Sequence, residues 1–252
     1  MRKPRITRHH FTVSRLQALR LCAFRHHLQY DLGIRVGGPA SRRGIALHEA
    51  VSGLLLRWGE TSPEAEVARV ASRRRLKAEE GADVMELMGK FEILLTPRIK
   101  GVVAVEEPVE VRVGHIRVVG RLDAVVETEE GLELWEFKTG RADGYLDPFP
   151  LGVYALGIKE IIGRVPGRWA YVKLQQAEAR LYMGGEEMAK AVRAEVEKVV
   201  EWLQDIKEPQ PNPGLWCRGC PYMRWCPGKR EKLLPLPSHQ GWLWSTPEVS
   251  SP

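Results

Sequence analysis

The sequence predicts an α/β (α+β) chain in which a helical N-terminal part leads into a sheet-forming core. Three observations carry this: apolar residues recur at helical spacing up to about residue 100, the period drops to two from Pro108 onward, and helical stretches then alternate with a strand. At 252 residues the chain is long enough for one large core or for a core with a smaller lobe. An apolar content of 44% and a charged content of 28% are ordinary for a soluble globular protein. The net charge of +6 suits a polyanionic partner without demanding one. No apolar run approaches the length needed to span a bilayer, so no membrane partner is expected. Arginines interrupt the basic N-terminus before any signal-type segment forms, and the chain reads as cytoplasmic.

The elements follow in order. "SRLQALRLCAFRHHLQYDLG" opens with Ser14 and Gln17 at capping-box spacing and stops at Gly33, which predicts one helix. "RRGIALHEAVSGLLLRWG" predicts a second, with Ala46, Leu47, Ala50 and Leu54 along its apolar stripe. One or two further helices lie between residues 62 and 100, starting where Ser62 can cap and Pro63 takes the first helical position. "VEVRV", "IRVVGRLDAVVE" and "LELWEFK" predict three successive strands, joined at Gly114 and by "TEEG". A helix over Leu151 to Ile162, a strand "RWAYVKL" and a long helix from Glu186 to Asp205 complete the core. This divides the chain into a helical part (14–105), a core (106–207), a cysteine-bearing segment (208–230) and a tail (231–252) rich in Pro and Trp.

The hairpin "GRLDAVVETEEGLELWEFK" raises a chemical question. With Thr128–Gly131 as its loop, Glu127 pairs with Leu132, and counting back sets Asp123 opposite Glu136 and Arg121 opposite Lys138. Directly opposed side chains lie about 5 Å apart between Cβ atoms. Two carboxylates so placed repel, unless a cation sits between them or one takes up a proton. Acid against acid and base against base stabilises a sheet poorly, but holds a divalent metal beside an anionic substrate.

"GRLDAVVE" followed by "WEFKTG" resembles the RecB-type branch of the PD-(D/E)XK nucleases. The resemblance implies a restriction-endonuclease-like core, a central mixed β-sheet flanked by helices. It implies that Asp123 and Glu136 bind Mg²⁺ or Mn²⁺, helped by a backbone carbonyl such as that of Phe137, and that Lys138 orients the attacking water. It also gives His48 of "GIALHEA" a place in the metal site. Such nucleases follow the lysine with a helix bearing Gln-x-x-x-Tyr. Here Tyr154 matches, implying a DNA contact, whereas Pro150 stands where the glutamine belongs. Arg121 and Arg141, with Arg42 and Arg43, are the cations that would line a DNA groove.

The four cysteines need a joint explanation. Three lie in "CRGCPYMRWCPG" as Cys217-x₂-Cys220-x₅-Cys226, and Cys22 sits near the other end of the chain. Disulfides suit an intracellular chain poorly. A Cys₄ zinc site and an iron–sulfur cluster both fit the chemistry. One cysteine before the core and a C-x₂-C-x₅-C trio after it is similar to the clasp of an iron–sulfur subset of RecB-type nucleases, which includes the CRISPR-associated Cas-four family. That resemblance implies a [4Fe–4S] cluster, with [2Fe–2S] or zinc as the alternatives. It further implies an exonuclease acting on single-stranded DNA, characteristically 5′ to 3′, that trims spacer precursors beside the CRISPR integrase. Two alternatives stand against this: a RecB-type nuclease of recombination and repair, and a nucleic-acid-binding subunit without activity.

Overall fold

Residues 10–36, 42–140, 146–205 and 208–230 are described by a computed structural model. The first helical stretch is not one helix. A short strand β1 (His10–Thr12) leads into α1 (Val13–Leu21), which is capped by Thr12, whose hydroxyl accepts the Arg15 N–H at 3.2 Å. Ser14 therefore lies inside the helix, and the Gln17 amide donates to Asp147 instead of closing a capping box. At Cys22 the backbone becomes extended (φ −164°, ψ 110°), and the chain resumes as a single turn α2 (Ala23–His26) followed by a π-helical turn over His27–Asp31. The break directs Cys22 Sγ toward backbone N–H groups of Arg25 and of Asn212, the latter near the other end of the chain. A tertiary contact has overridden the local helical period.

Helices α3 (Arg42–Leu56), α4 (Pro63–Arg74) and α5 (Ala78–Leu94) form a separate layer. The Ser62 hydroxyl caps α4 as its sequence position suggests, accepting the Ala65 N–H at 3.3 Å. Strands β2 (Gly101–Val113), β3 (Ile116–Thr128) and β4 (Gly131–Lys138) make a meander. Helix α6 (Phe149–Ile162) crosses to β5 (Arg168–Lys173), β6 (Glu178–Met183) turns back, and α7 (Glu186–Asp205) follows. The six-stranded sheet runs β1-β3-β4-β5-β6, with β2 on the other edge of β3; the β1–β3 and β4–β5 pairs are parallel and the rest antiparallel. This is the mixed sheet flanked by helices that the sequence implied. Strand β2 begins at Gly101, well before "VEVRV", and β1 and β6 are additions.

The sheet buries a different core on each face. Leu16 and Leu19 of α1, Leu151 and Leu156 of α6, and Val192 and Val196 of α7 cover one side, with Leu134 and Trp169 beneath them. Leu47, Val51, Val70, Met88 and Phe91 of the α3–α5 layer cover the other, over Trp135 and Phe137. Trp135 and Phe137 thus turn away from Glu136 and Lys138, as side chains must along one strand.

Sheet topology also creates an opening. One edge of β3 is paired by β2 along its length. The other edge is shared, with β1 pairing Arg117–Val119 and β4 pairing Ala124–Thr128. Between them Gly120, Arg121, Leu122 and Asp123 have no strand on that edge among the described residues.

Candidate active site

The expected hairpin register occurs: Glu127 pairs with Leu132 and Ala124 with Trp135. The backbone ladder then stops one rung before Asp123 and Glu136, where the Asp123 side chain fills the gap. Its Oδ2 accepts the Phe137 N–H at 2.6 Å, replacing the next rung. The contribution of Phe137 seen here is thus its N–H and its ring, which meets the His48 imidazole edge-on at 5.6 Å between centroids. Arg121 does not face Lys138. It is level with Pro108 on β2, and its Nη1 donates to the Glu106 carbonyl at 2.6 Å.

His48 reaches the opening from α3. Its Nε2 lies 3.2 Å from Asp123 Oδ1 and its Nδ1 3.6 Å from Glu106 Oε1. Glu106 is the functional candidate that the sequence reading missed. It falls between the pairs Val105–Ala124 and Glu107–Leu122, level with Asp123 on the neighbouring strand. Its φ of +52° is rare for a residue with a side chain and marks a local kink. The Arg121 hydrogen bond fixes that kink from the backbone, and the Ser52 hydroxyl donates to Glu106 Oε1 at 2.8 Å. One ligand atom each from His48, Glu106 and Asp123 lies within 4.8 Å of the others, so the three can share one cation.

Glu136 stands on the α6 side of the same opening. Its Oε1 accepts Lys138 Nζ at 2.9 Å, while its buried Oε2 has no hydrogen-bond partner among the described residues. Burial pushes the Glu136 carboxyl up to about 7; Lys138 opposes that rise and the Asp123 charge adds to it. For His48, burial disfavours the imidazolium, but the hydrogen bond and charge of Asp123, with Glu106 and Glu136, outweigh it and hold the pKa above its ordinary value. The Lys138 ammonium also lies over the Tyr171 ring, 4.9 Å from its centroid. Tyr154 projects from α6 against Gly120, where a Cβ would come within 2.6 Å of its ring, so only glycine allows the approach. Burial, then the charges of Glu136 and Asp123, keep its phenol protonated. Pro150 is buried in the first turn of α6 and offers no amide to the opening.

A profile of the PD-(D/E)XK nuclease superfamily matches residues 10–227. The chain belongs to that superfamily. Among solved structures, a candidate exonuclease from Eubacterium rectale superposes on this nuclease with a TM-score of 0.51 at 12% identity, covering 91% of each chain. That likeness is one of fold. The protein SSO0001 superposes with a TM-score of 0.41 at 17% identity, covering 87% of this chain and 86% of its own. No curated protein sequence matches. No helix among the described residues of the nuclease is long and apolar enough to cross a membrane.

The remaining expected site residues are dispersed. Arg42 Nη2 donates to the carbonyls of Arg74 and Arg75, and Arg43 pairs with Asp83 at 2.8 Å. Arg141 lies outside the described residues. All four cysteines are free thiols that line one cavity of about 250 Å³ at the opposite end of α1 from Thr12. Cys217 Sγ accepts the Gly214 N–H at 3.4 Å, as Cys22 Sγ accepts those of Arg25 and Asn212. Burial pushes the Cys220 thiol up, partly offset by the Tyr222 N–H and the Arg25 charge.

Proposed function

We propose that this nuclease is a metal-dependent deoxyribonuclease that hydrolyses phosphodiester bonds at the opening beside β3. The observation carrying this is the convergence of His48, Glu106 and Asp123 next to a buried carboxylate, Glu136, that lacks a full set of partners. A buried carboxylate oxygen without a donor fits a site for a cation. The oxygen-rich donor set suits Mg²⁺, and the imidazole makes Mn²⁺ fit as well. When bound, such an ion supplies positive charge against the phosphoryl oxygens and acidifies water. Asp123, held by the Phe137 N–H, fixes one ligand position, and His48 and Glu106 would supply the others. Glu136, whose Oε2 has no donor among the described residues, is placed to take a proton from the attacking water. Lys138 Nζ donates to that carboxylate and stands ready to stabilise negative charge on the phosphate. As the water oxygen bonds to phosphorus and its proton passes to Glu136, one P–O ester bond breaks and the leaving oxygen takes up a proton from solvent water.

We assign single-stranded DNA, cut from an end with 5′ to 3′ polarity, as the substrate, and a [4Fe–4S] cluster as the occupant of the cysteine cavity. Support for the substrate is the resemblance in motif order. Support for the cluster is that order together with four free thiols around one cavity and the N–H groups aimed at two of the sulfurs. On the same resemblance we assign the enzyme to CRISPR adaptation, trimming spacer precursors beside the integrase. Purified protein with end-labelled single-stranded DNA and Mn²⁺ tests the chemistry. Cleavage that depends on Mn²⁺ and disappears in Asp123→Ala supports it, and full-rate cleavage by Asp123→Ala removes the assignment.

A further inference from the structure

The cysteine cavity has one feature that four thiols do not explain. Among the described residues lining it, Arg25 is the only charged one; its other neighbours there include Phe24, Pro211, Pro213, Trp216 and Met223. The Arg25 Nε is buried and has no hydrogen-bond partner, and no carboxylate pairs with its guanidinium among the described residues. Arg25 as a whole is half-buried, and the Nε is the part of its guanidinium shut off from water without a partner. A donor shut off from water without a partner is destabilising, and more so on a charged group. Four neutral thiols do not offset it. Four thiolates around a dipositive metal or cluster core carry a net charge of about −2 and would. The chain also ties Arg25 to that spot. Its own backbone N–H donates to Cys22 Sγ, and the neighbouring Phe24 N–H donates to the Gln210 carbonyl in the segment that brings the three C-terminal cysteines.

We propose that Arg25 is the counter-cation of an anionic tetrathiolate metal centre held by Cys22, Cys217, Cys220 and Cys226, and that it governs how firmly the metal is retained. The inference rests on the metal reading of the cavity given above and adds a residue outside the cysteine pattern. Arg25 is a positioning residue, remote from the Asp123–Glu136 opening, so its effect is on the metal centre and not on the cleavage step.

The test uses the full chain purified without oxygen. Iron, sulfide and zinc are assayed per chain, and metal release to excess chelator is timed for the wild type, Arg25→Gln and Arg25→Lys, with circular dichroism confirming that each is folded. Release is followed by the loss of absorbance at about 400 nm for an iron–sulfur centre, or by a chromophoric chelator for zinc. Arg25→Gln is expected to release metal roughly tenfold faster, and Arg25→Lys to stay close to wild type. Equal rates for Arg25→Gln and wild type overturn the proposal. So does equal loss in both variants, which would mean that packing and not charge matters. A wild type that contains zinc and no iron removes the cluster assignment while leaving the Arg25 comparison intact. A wild type that holds no metal removes both.

Discussion

Glu133 and Glu136 lie three residues apart on β4, both with little solvent access, and the fold treats them in opposite ways. Glu133 is 1% exposed and satisfied: Arg98 Nη2 donates to its two oxygens at 3.0 and 3.1 Å, and Trp135 Nε1 donates to Oε2 at 2.8 Å. Glu136, on the other face, has one donor, Lys138, a buried oxygen with none, and the carboxylate of Asp123 nearby. Burial of a carboxylate therefore does not mark a site in this molecule. What distinguishes Glu136 is a partnerless oxygen together with a second carboxylate close by. Glu133 joins the sheet to the end of the helical layer, whereas Glu136 keeps an oxygen without a donor at the proposed metal site.

The contrast can be broken in four ways. The largest effect is expected from Glu136→Gln, which should lower metal-dependent cleavage by about a thousandfold in a single-turnover assay. Glu133→Gln should leave the rate per folded molecule within about twofold. Next comes Arg98→Ala, which leaves the buried Glu133 carboxylate only the more distant cation of Arg168, at 3.8 Å. Denaturant unfolding should show a loss of about 3 kcal/mol with the active-site residues untouched. Glu106→Gln should weaken Mn²⁺ binding by roughly tenfold in a titration, because it removes one donor and leaves Asp123 and His48 in place.

The smallest effect concerns pH. Below the ordinary carboxyl pKa of 4.5, Glu136 is protonated in both folded and unfolded chains, and its contribution to stability is fully present. Between 4.5 and about 7 the unfolded chain ionises while the folded one keeps its proton, so stability falls as pH rises through that window. His48, with its raised pKa, acts in the same direction. Metal-free protein should lose on the order of 1 kcal/mol between pH 5 and 8 in thermal melts. Glu136→Gln should flatten that slope, and saturating Mn²⁺ should reverse it.

Much of this was legible in the sequence, because hairpin register is set by turn position and alternation. The loop at Thr128–Gly131 was enough to align Asp123 with Glu136, and Ser62 with Pro63 located the start of α4. What the register could not reveal is that the ladder ends at Ala124 and Trp135. There a carboxylate replaces a backbone rung, a side-chain contact that alternation along the strands does not encode. Glu106 was within reach of the same counting, since the turn at Gly114 sets it level with Asp123. Pro108 concealed it by reading as the start of the strand, although β2, on the outer edge of β3, tolerates a proline there. The extended backbone at Cys22 had no local signal. It follows from a contact with Asn212 across almost the whole chain.

The central claim is that the carboxylates and imidazole at the opening in β3 hold a divalent cation. Electron paramagnetic resonance of free Mn²⁺ during titration of wild type and Asp123→Ala measures this without reference to substrate. Saturable binding in the wild type that is lost in folded Asp123→Ala is the predicted result. Equal binding by the two proteins, or none by the wild type, would contradict the account.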